Sequence, residues 1–383
     1  MVAIKFAPLL AILAVAGLAS AASAAPRIHA GVHRTLRQQG TVNLIVTLKE
    51  GTESTLNNIK EAEFATRGQK IASLVESLEQ HAKTTQAELN AIFAQEASSA
   101  TPLYTKTESY WISNQANFRT SYGWYDPEKK TANPYDQQGH GTHTMGTIAG
   151  SGGIGVAPGA TWITCKGCRT DGCSESDLLA CAQFITCPTT YTGASKDCTK
   201  APDVVSNSWG GGQGDTFYAS AVNAWVAAGI VPVFANGNEG PACKTANSPG
   251  DYSNVIAVGA TTSTDALASY SSKGPATSGL LKPDVSAPGS SVRSAWYTST
   301  TAYNTISGTS MATPHVTGVI ALLLKAKPTL TYAQVKKAIT AGVDTTTLAS
   351  TGYTCGSTAD GKFPNNQYGY GRVNAVKVLA ASV

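Results

Sequence analysis

Ser307-Gly308-Thr309-Ser310-Met311-Ala312-Thr313-Pro314-His315 runs without a break into the apolar segment Val316 to Leu324, VTGVIALLL. A helix apolar on every side has no face to show to water, so this one belongs inside a core. Ser310, preceded by Gly308 and Thr309, then stands at the head of a buried helix. There its hydroxyl is exposed and the helix N-terminus stabilises nearby negative charge. The elements that would bury such a helix lie upstream. Short apolar runs alternate with helical ones: Thr161 to Cys165, Ser174 to Ile185, Asp203 to Asn207, Thr216 to Ala228, Val231 to Ala235, Val255 to Ala260. Strands alternating with helices imply βαβ units, so the predicted fold class is α/β, a parallel sheet with helices on both faces.

The sequence before about residue 116 reads differently. Thr41 to Lys49 (TVNLIVTLK) has the pattern of a strand. Glu61 to Gln95 carries Ile71, Leu74, Val75, Leu78, Ala82, Leu89, Ile92 and Phe93 at helical spacing, and a second strand is expected over Glu108 to Ser113. This β-α-β block predicts a small α+β domain without Asp, Cys or a glycine-rich loop. At the extreme N-terminus, Lys5, the apolar run Phe6 to Leu18 and the small residues Ala22-Ser23-Ala24 read as a secretory signal cut near Ala24. The competing reading, a membrane anchor, is disfavoured by those small residues. The expected organisation is therefore 1–24 leader, 25–115 small domain and 116–383 main domain, with the mature protein secreted and outside the membrane.

Composition narrows the function. Charged residues are 14% of the 383, against a usual share of about 25%, and 37 are Gly, so the main domain is not a charge-rich disordered chain. A net charge of +4 is too small and too dispersed to argue for nucleic acid or an anionic membrane as partner. All eight cysteines, Cys165, Cys168, Cys173, Cys181, Cys187, Cys198, Cys243 and Cys355, lie in the second half, and an even number in an exported chain suggests disulfides. Zinc at the C-x-x-C of Cys165 and Cys168 lacks a second ligand pair. Cys181 is apolar enough in context to be a buried free thiol instead. Spacing does not choose the pairing.

Two more segments carry chemistry. Gly139-His140-Gly141-Thr142-His143-Thr144-Met145-Gly146-Thr147 opens an apolar helix, and its histidine is a candidate base. In Phe234-Ala235-Asn236-Gly237-Asn238-Glu239-Gly240 a strand ends in a polar loop able to offer an amide to an oxyanion. Each has a plain structural reading. Ser before a helix is usually a cap, Asn in a glycine-rich loop is usually a turn residue, and His315 in an apolar helix is a packed histidine. His140 and His143, one turn apart, lack the acidic third ligand of a metal site. Taken together and in this order, the structural readings require three coincidences.

The combination resembles the subtilisin-like serine proteases, the subtilase family. Tyr122 to Pro127 (YGWYDP) and Val204 to Gly211 (VVSNSWGG) resemble its bacillopeptidase F-like branch. The resemblance implies that His140 is the catalytic base, Ser310 the nucleophile and Asn238 the oxyanion-hole amide. It also implies that Ser208, Trp209 and Gly210 form the strand bonding the substrate backbone. Ala235, Asn236 and Gly237 would wall the pocket for the residue before the cleaved bond, with Asn247 as its floor and Glu239 on its rim. Ser248-Pro249-Gly250, Tyr270 to Pro275 and Lys282 to Gly289 fit the same family. Residues 25–115 then look like an inhibitory propeptide. The implied partners are protein or peptide substrates and the chain's own propeptide, with a monomeric enzyme that needs no cofactor. Structural calcium, frequent in the family, is not expected because the loop Gly150 to Val156 is shorter than the calcium-binding version.

One element is missing from the pattern. The family holds its histidine with an aspartate in a D-S-G or D-T-G turn at the end of the first strand. Residues 1–125 contain no aspartate, and only Asp126 and Asp136 precede His140. Neither ends an apolar strand. The absent block would fall between about Gln115 and Asn117. Two functions follow as expectations: a secreted endopeptidase, or a non-catalytic relative that binds peptides or proteases through the same cleft.

Overall fold

The computed structural model describes residues 3–5, 41–43, 50–97, 122–192 and 195–381. The leader-like run 6–24, residues 44–49 of the first expected strand, the strand expected over 108–113 and the region of the missing block lie outside the described residues. The chain divides into two units, residues 1–55 with 75–118, and residues 56–74 with 119–383. In chain order the elements up to the second unit's sheet are β1 (Ala3–Lys5), β2 (Thr41–Asn43), α1 (Glu53–Glu61), α2 (Arg67–Thr85), α3 (Ala87–Ala97), β3 (Trp124–Tyr125), α4 (His140–Ala149), β4 (Thr164–Cys165), β5 (Cys168–Arg169), β6 (Gly172–Cys173) and α5 (Glu175–Thr186). They continue as β7 (Val204–Asn207), α6 (Ala219–Ala227), β8 (Val231–Ala235), β9 (Ile256–Thr261), β10 (Val285–Pro288), β11 (Val292–Ala295), β12 (Tyr303–Ile306), α7 (Thr309–Ala326), α8 (Tyr332–Ala341), β13 (Val343–Asp344), β14 (Arg372–Val373) and α9 (Ala375–Ala380).

In the first unit β1 and β2 pair antiparallel. The helical stretch expected over Glu61 to Gln95 is formed by two helices, α2 and α3, and a further helix, α1, precedes it, with α2 running across the division between the units. The break before α2 has a local cause. Thr66 Oγ1 accepts the Gln69 N–H at 3.2 Å and Gln69 Oε1 accepts the Thr66 N–H at 3.1 Å. This reciprocal capping box starts a new helix at Arg67. The apolar spacing does place Ile71, Leu74, Val75, Leu78 and Ala82 on one buried stripe of α2.

The second unit is built on a six-stranded sheet of order β13-β14-β10-β9-β8-β7. Strands β7, β8, β9, β10 and β14 run parallel and β13 closes one edge antiparallel. Strand β8 explains why helices cover both faces. Its residues VPVFA are all buried, and alternate side chains point to opposite sides. Val231 and Val233 join Val316, Ile320 and Leu323 of α7 in one cluster. Phe234 meets Trp225 of α6 on the other face, with ring centroids 6.5 Å apart. The α/β class expected from the alternation is what the chain adopts, and α7 lies against β7 to β10 as the buried central helix.

Strands β3 and β4, which flank α4 in sequence, form a separate parallel pair. The larger sheet ends at β7, and among the described residues no strand joins the two. The helix that opens with His140 packs instead against α7 and β11.

The cysteines pair as Cys165–Cys181, Cys168–Cys173, Cys187–Cys198 and Cys243–Cys355, with none free. The free-thiol alternative for Cys181 is thereby corrected, since α5 places it 5.6 Å, Cα to Cα, from Cys165. The C-x-x-C likewise splits between two bridges. Among the described residues no helix is long and apolar enough to cross a membrane.

Candidate active site

His140 is the first residue of α4, and Asp136 caps that helix. Its Oδ1 accepts the N–H groups of Gln138 and Gly139, both at 2.9 Å, and its Oδ2 accepts the N–H of Thr142 at 3.1 Å and its hydroxyl at 2.6 Å. Burial works to raise the Asp136 pKa, but the bonds from Thr142, Gly139 and Gln138 outweigh it and hold the carboxyl down at about 2. Gly139 adopts the left-handed φ of +92°, and a Cβ there would lie 2.6 Å from the Trp296 ring. Glycine is required before His140 on both counts. Burial lowers the His140 pKa, His143 lowers it further, and Asp136 raises it without compensating. The shift favours the neutral imidazole, the form a general base needs.

Ser310 is the second residue of α7. Pro314, four residues on, has no N–H, so the Ser310 carbonyl lacks the helical partner it would otherwise have. Ser208 Oγ supplies the bond at 2.8 Å. Ser310 Oγ in turn donates to the Ser208 carbonyl at 3.2 Å. Among the described residues the Ser310 hydroxyl makes no bond to His140, and the His140 ring bonds no other group.

Asn238 is held at the head of α7 by Thr309. Its Oδ1 accepts the Thr309 N–H at 2.8 Å and the Thr309 hydroxyl at 3.0 Å. With the oxygen fixed, the NH₂ end lies at the head of α7, 3.7 Å from where a Gly308 Cβ would stand. Thr309 was not singled out in the sequence. It carries no chemistry of its own, and only the fold reveals that it orients the amide.

The expected pocket residues cluster behind this loop. Ala235, Asn236, Gly237 and Asn247 are all buried. Asn236 Nδ2 donates to the Ser272 carbonyl at 2.7 Å, and Asn247 Nδ2 donates to the Gly212 carbonyl at 3.2 Å. Gly237 has φ +109°, and a Cβ on it would stand 2.2 Å from Asn247 Oδ1. The Trp209 side chain turns inward, 4.9 Å from the Tyr218 ring and 5.3 Å from Phe234, while Gly210 is exposed. Glu239 Oε2 accepts the Asn238 N–H and the Ser272 hydroxyl, each at 2.9 Å, so this rim carboxylate also braces the Asn238 loop.

His143 and His315 make structural bonds. His143 bonds the Val292 carbonyl through Nε2 at 3.0 Å, and His315 bonds the Met311 carbonyl through Nδ1 at 2.9 Å. Among the described residues no three His, Cys, Asp or Glu side chains converge as a metal site. The loop 150–156 closes on itself, with the Gly155 N–H on the Gly150 carbonyl at 3.0 Å. Asp126, the other early acid, is committed to Arg169, at 3.0 Å, and to the Tyr135 hydroxyl, at 2.7 Å.

The subtilase family, Peptidase_S8, matches residues 50–371. Bacillopeptidase F of Bacillus subtilis is 37% identical over 294 residues, 73% of this chain and 19% of its own length. The extracellular serine proteinase of a Thermus species is 42% identical over 218 residues, 56% of this chain and 48% of its own. The chain thus spans about half or less of these two relatives. The solved structure of sphericase superposes with a TM-score of 0.52 at 32% identity, covering 62% of this chain and 78% of that one. A serine at the head of a buried helix, an asparagine amide fixed beside it and a family match over most of the length lead to one assignment: the chain belongs to the subtilase family.

Proposed function

We propose that the chain is a secreted serine endopeptidase acting by acyl transfer, with residues 25–115 as its inhibitory propeptide and 116–383 as its peptidase domain. The observation that carries this reading is the Asn238 side chain fixed through Thr309, the residue before Ser310, at the head of α7. Ser310 Oγ attacks the peptide carbonyl, His140 takes the proton and later returns it to the leaving amine. The oxyanion is held by Asn238 Nδ2 and the Ser310 N–H, one of the unpaired donors of the helix start. Ser208 to Gly210 bind the substrate backbone, and Ala235 to Gly237 with Asn247 receive the side chain before the cleaved bond. Substrates are proteins or peptides, the enzyme is a monomer, and no cofactor takes part.

Activity of the chain as written is low on this reading. Ser310 Oγ faces the Ser208 carbonyl and no described acid bonds His140. In subtilisin, loss of the acid alone costs on the order of 3 × 10⁴ in turnover. The same two observations favour a second reading, a non-catalytic relative that binds peptides in the cleft. Labelling with a fluorophosphonate and hydrolysis of a peptide library separate the two. A peptidase gives slow labelling that Ser310→Ala abolishes, and gains activity when a strand ending in Asp-Thr-Gly is inserted between about Gln115 and Asn117. Peptide binding with no labelling in either form would leave only the binding protein.

A further inference from the structure

We propose that Arg169 is a positioning residue for His140, acting through Asp126 and Tyr135 from a hairpin closed by a disulfide. The proposal rests on the reading of His140 as the base. Strands β5 and β6 pair antiparallel, with Cys168 opposite Cys173 and bridged to it, so Arg169 sits on a short covalently closed loop. Its guanidinium gathers three carboxylates. Nη2 meets Asp126 at 3.0 Å, Nη1 forms an ion pair with Glu128 at 2.8 Å and Nε meets Asp177 at 3.2 Å. The Asp126 side chain is 0% exposed, and a buried carboxylate needs a partner to stay charged. Its oxygens also accept the N–H groups of Glu128 and Lys129, both at 3.1 Å, and the Tyr135 hydroxyl at 2.7 Å.

These bonds pin one particular stretch of chain. Asp126 follows β3, and the connection it begins ends at His140. Tyr135 is the neighbour of Asp136, whose carboxylate holds Gly139 and Thr142 at the start of α4. Arg169 therefore fixes the connection at its origin, Tyr135 ties the origin to the far end, and Asp136 passes the constraint to the helix start. Further along α4 a different support takes over. His143 is held by the Val292 carbonyl at 3.0 Å, and its own carbonyl accepts Ser294 Oγ at 2.8 Å. Loss of Arg169 should thus displace the first residue of α4 and leave the next turn in place. No sequence motif marks Arg169 for this role, because its three partners are spread over residues 126 to 177.

Nuclear magnetic resonance of the full chain with isotope-labelled histidine tests this without requiring catalysis. The six histidines give separate imidazole signals, and His140→Gln identifies the relevant one. Arg169→Ala is expected to shift the His140 signal while those of His143 and His315 hold. Tyr135→Phe keeps the ring and removes one hydroxyl, so it should fold and give a smaller shift of the same signal. Tyr135→Phe decides the matter if Arg169→Ala does not fold. An unmoved His140 signal, or one that moves in step with His143 and His315, overturns the proposal. Failure of Ser310 to label would instead count against the peptidase reading and leave this measurement intact.

Discussion

Ser208 and Ser310 are joined by two hydrogen bonds of opposite sense: Ser208 Oγ to the Ser310 carbonyl at 2.8 Å, and Ser310 Oγ to the Ser208 carbonyl at 3.2 Å. The first exists because Pro314 cannot serve that carbonyl. The second commits the Ser310 hydroxyl to the Ser208 carbonyl. Replacing Ser208 by Ala leaves the Ser310 carbonyl without its partner and should cost about 1 kcal/mol of stability, read by urea unfolding. An unchanged midpoint and slope would mean that water replaces the hydroxyl at no cost.

Asn238 uses its oxygen for structure, and the proposed role of its NH₂ group in the oxyanion hole can be tested separately. Asn238→Asp keeps the acceptor for Thr309 but loses the donor and places a negative charge beside the oxyanion. In the strand-restored chain, turnover should fall by about 10² to 10³ with little change in unfolding. Turnover that survived in Asn238→Asp would remove Asn238 from the oxyanion hole.

Asp136 is held at about 2, against an ordinary 3.8, by bonds from the start of α4. A depressed carboxyl stabilises the folded chain fully above its ordinary value, and that part is lost as pH falls towards its folded value. Asp136→Ala should therefore cost about 1 kcal/mol near neutrality, as loss of a helix cap does. The difference between parent and variant should shrink as pH drops from 3.8 to about 2. The same variant removes the one charge that raises the His140 pKa, so the acid limb of any activity should move to lower pH.

The four bridges close loops of very different length. Cys243 and Cys355 are 112 residues apart, Cys168 and Cys173 only 5. By loop-closure entropy, replacing the long-range pair by serines should cost roughly 5 kcal/mol and the short one roughly 2. Denaturant titration of the two double variants gives the order. Equal losses would show that local contacts, not chain entropy, set the effect.

Glu239 braces the Asn238 loop through Oε2, and the proposed pocket would have its negative charge on the rim. Glu239→Gln keeps an oxygen for those bonds and removes the charge. Cleavage of a peptide library by the strand-restored chain should show less preference for Lys or Arg before the cut, by about 1 kcal/mol or less. Profiles that overlay would assign Glu239 to loop support alone.

The α/β class and the burial of the helix after Ser310 were legible in the chain, as were the three segments that carry the proposed chemistry. Each of these depends on residues that are neighbours in the chain: the alternation of VPVFA with helical runs, the Gly-Thr-Ser before an apolar helix, the Asn in a glycine-rich loop. The absence of an early aspartate was equally legible, because it is a matter of counting. Tertiary structure decided everything that depends on distance in space. It assigned Asp136 to the cap of α4 and not to the imidazole, tied Asn238 to Thr309 across 71 residues, and placed Ser208 on the carbonyl that Pro314 leaves free. It also chose the cysteine pairing, which spacing left open. Periodicity records which side of an element is buried, whereas a hydrogen bond between distant segments is fixed only when the sheet and α7 bring their ends to one place.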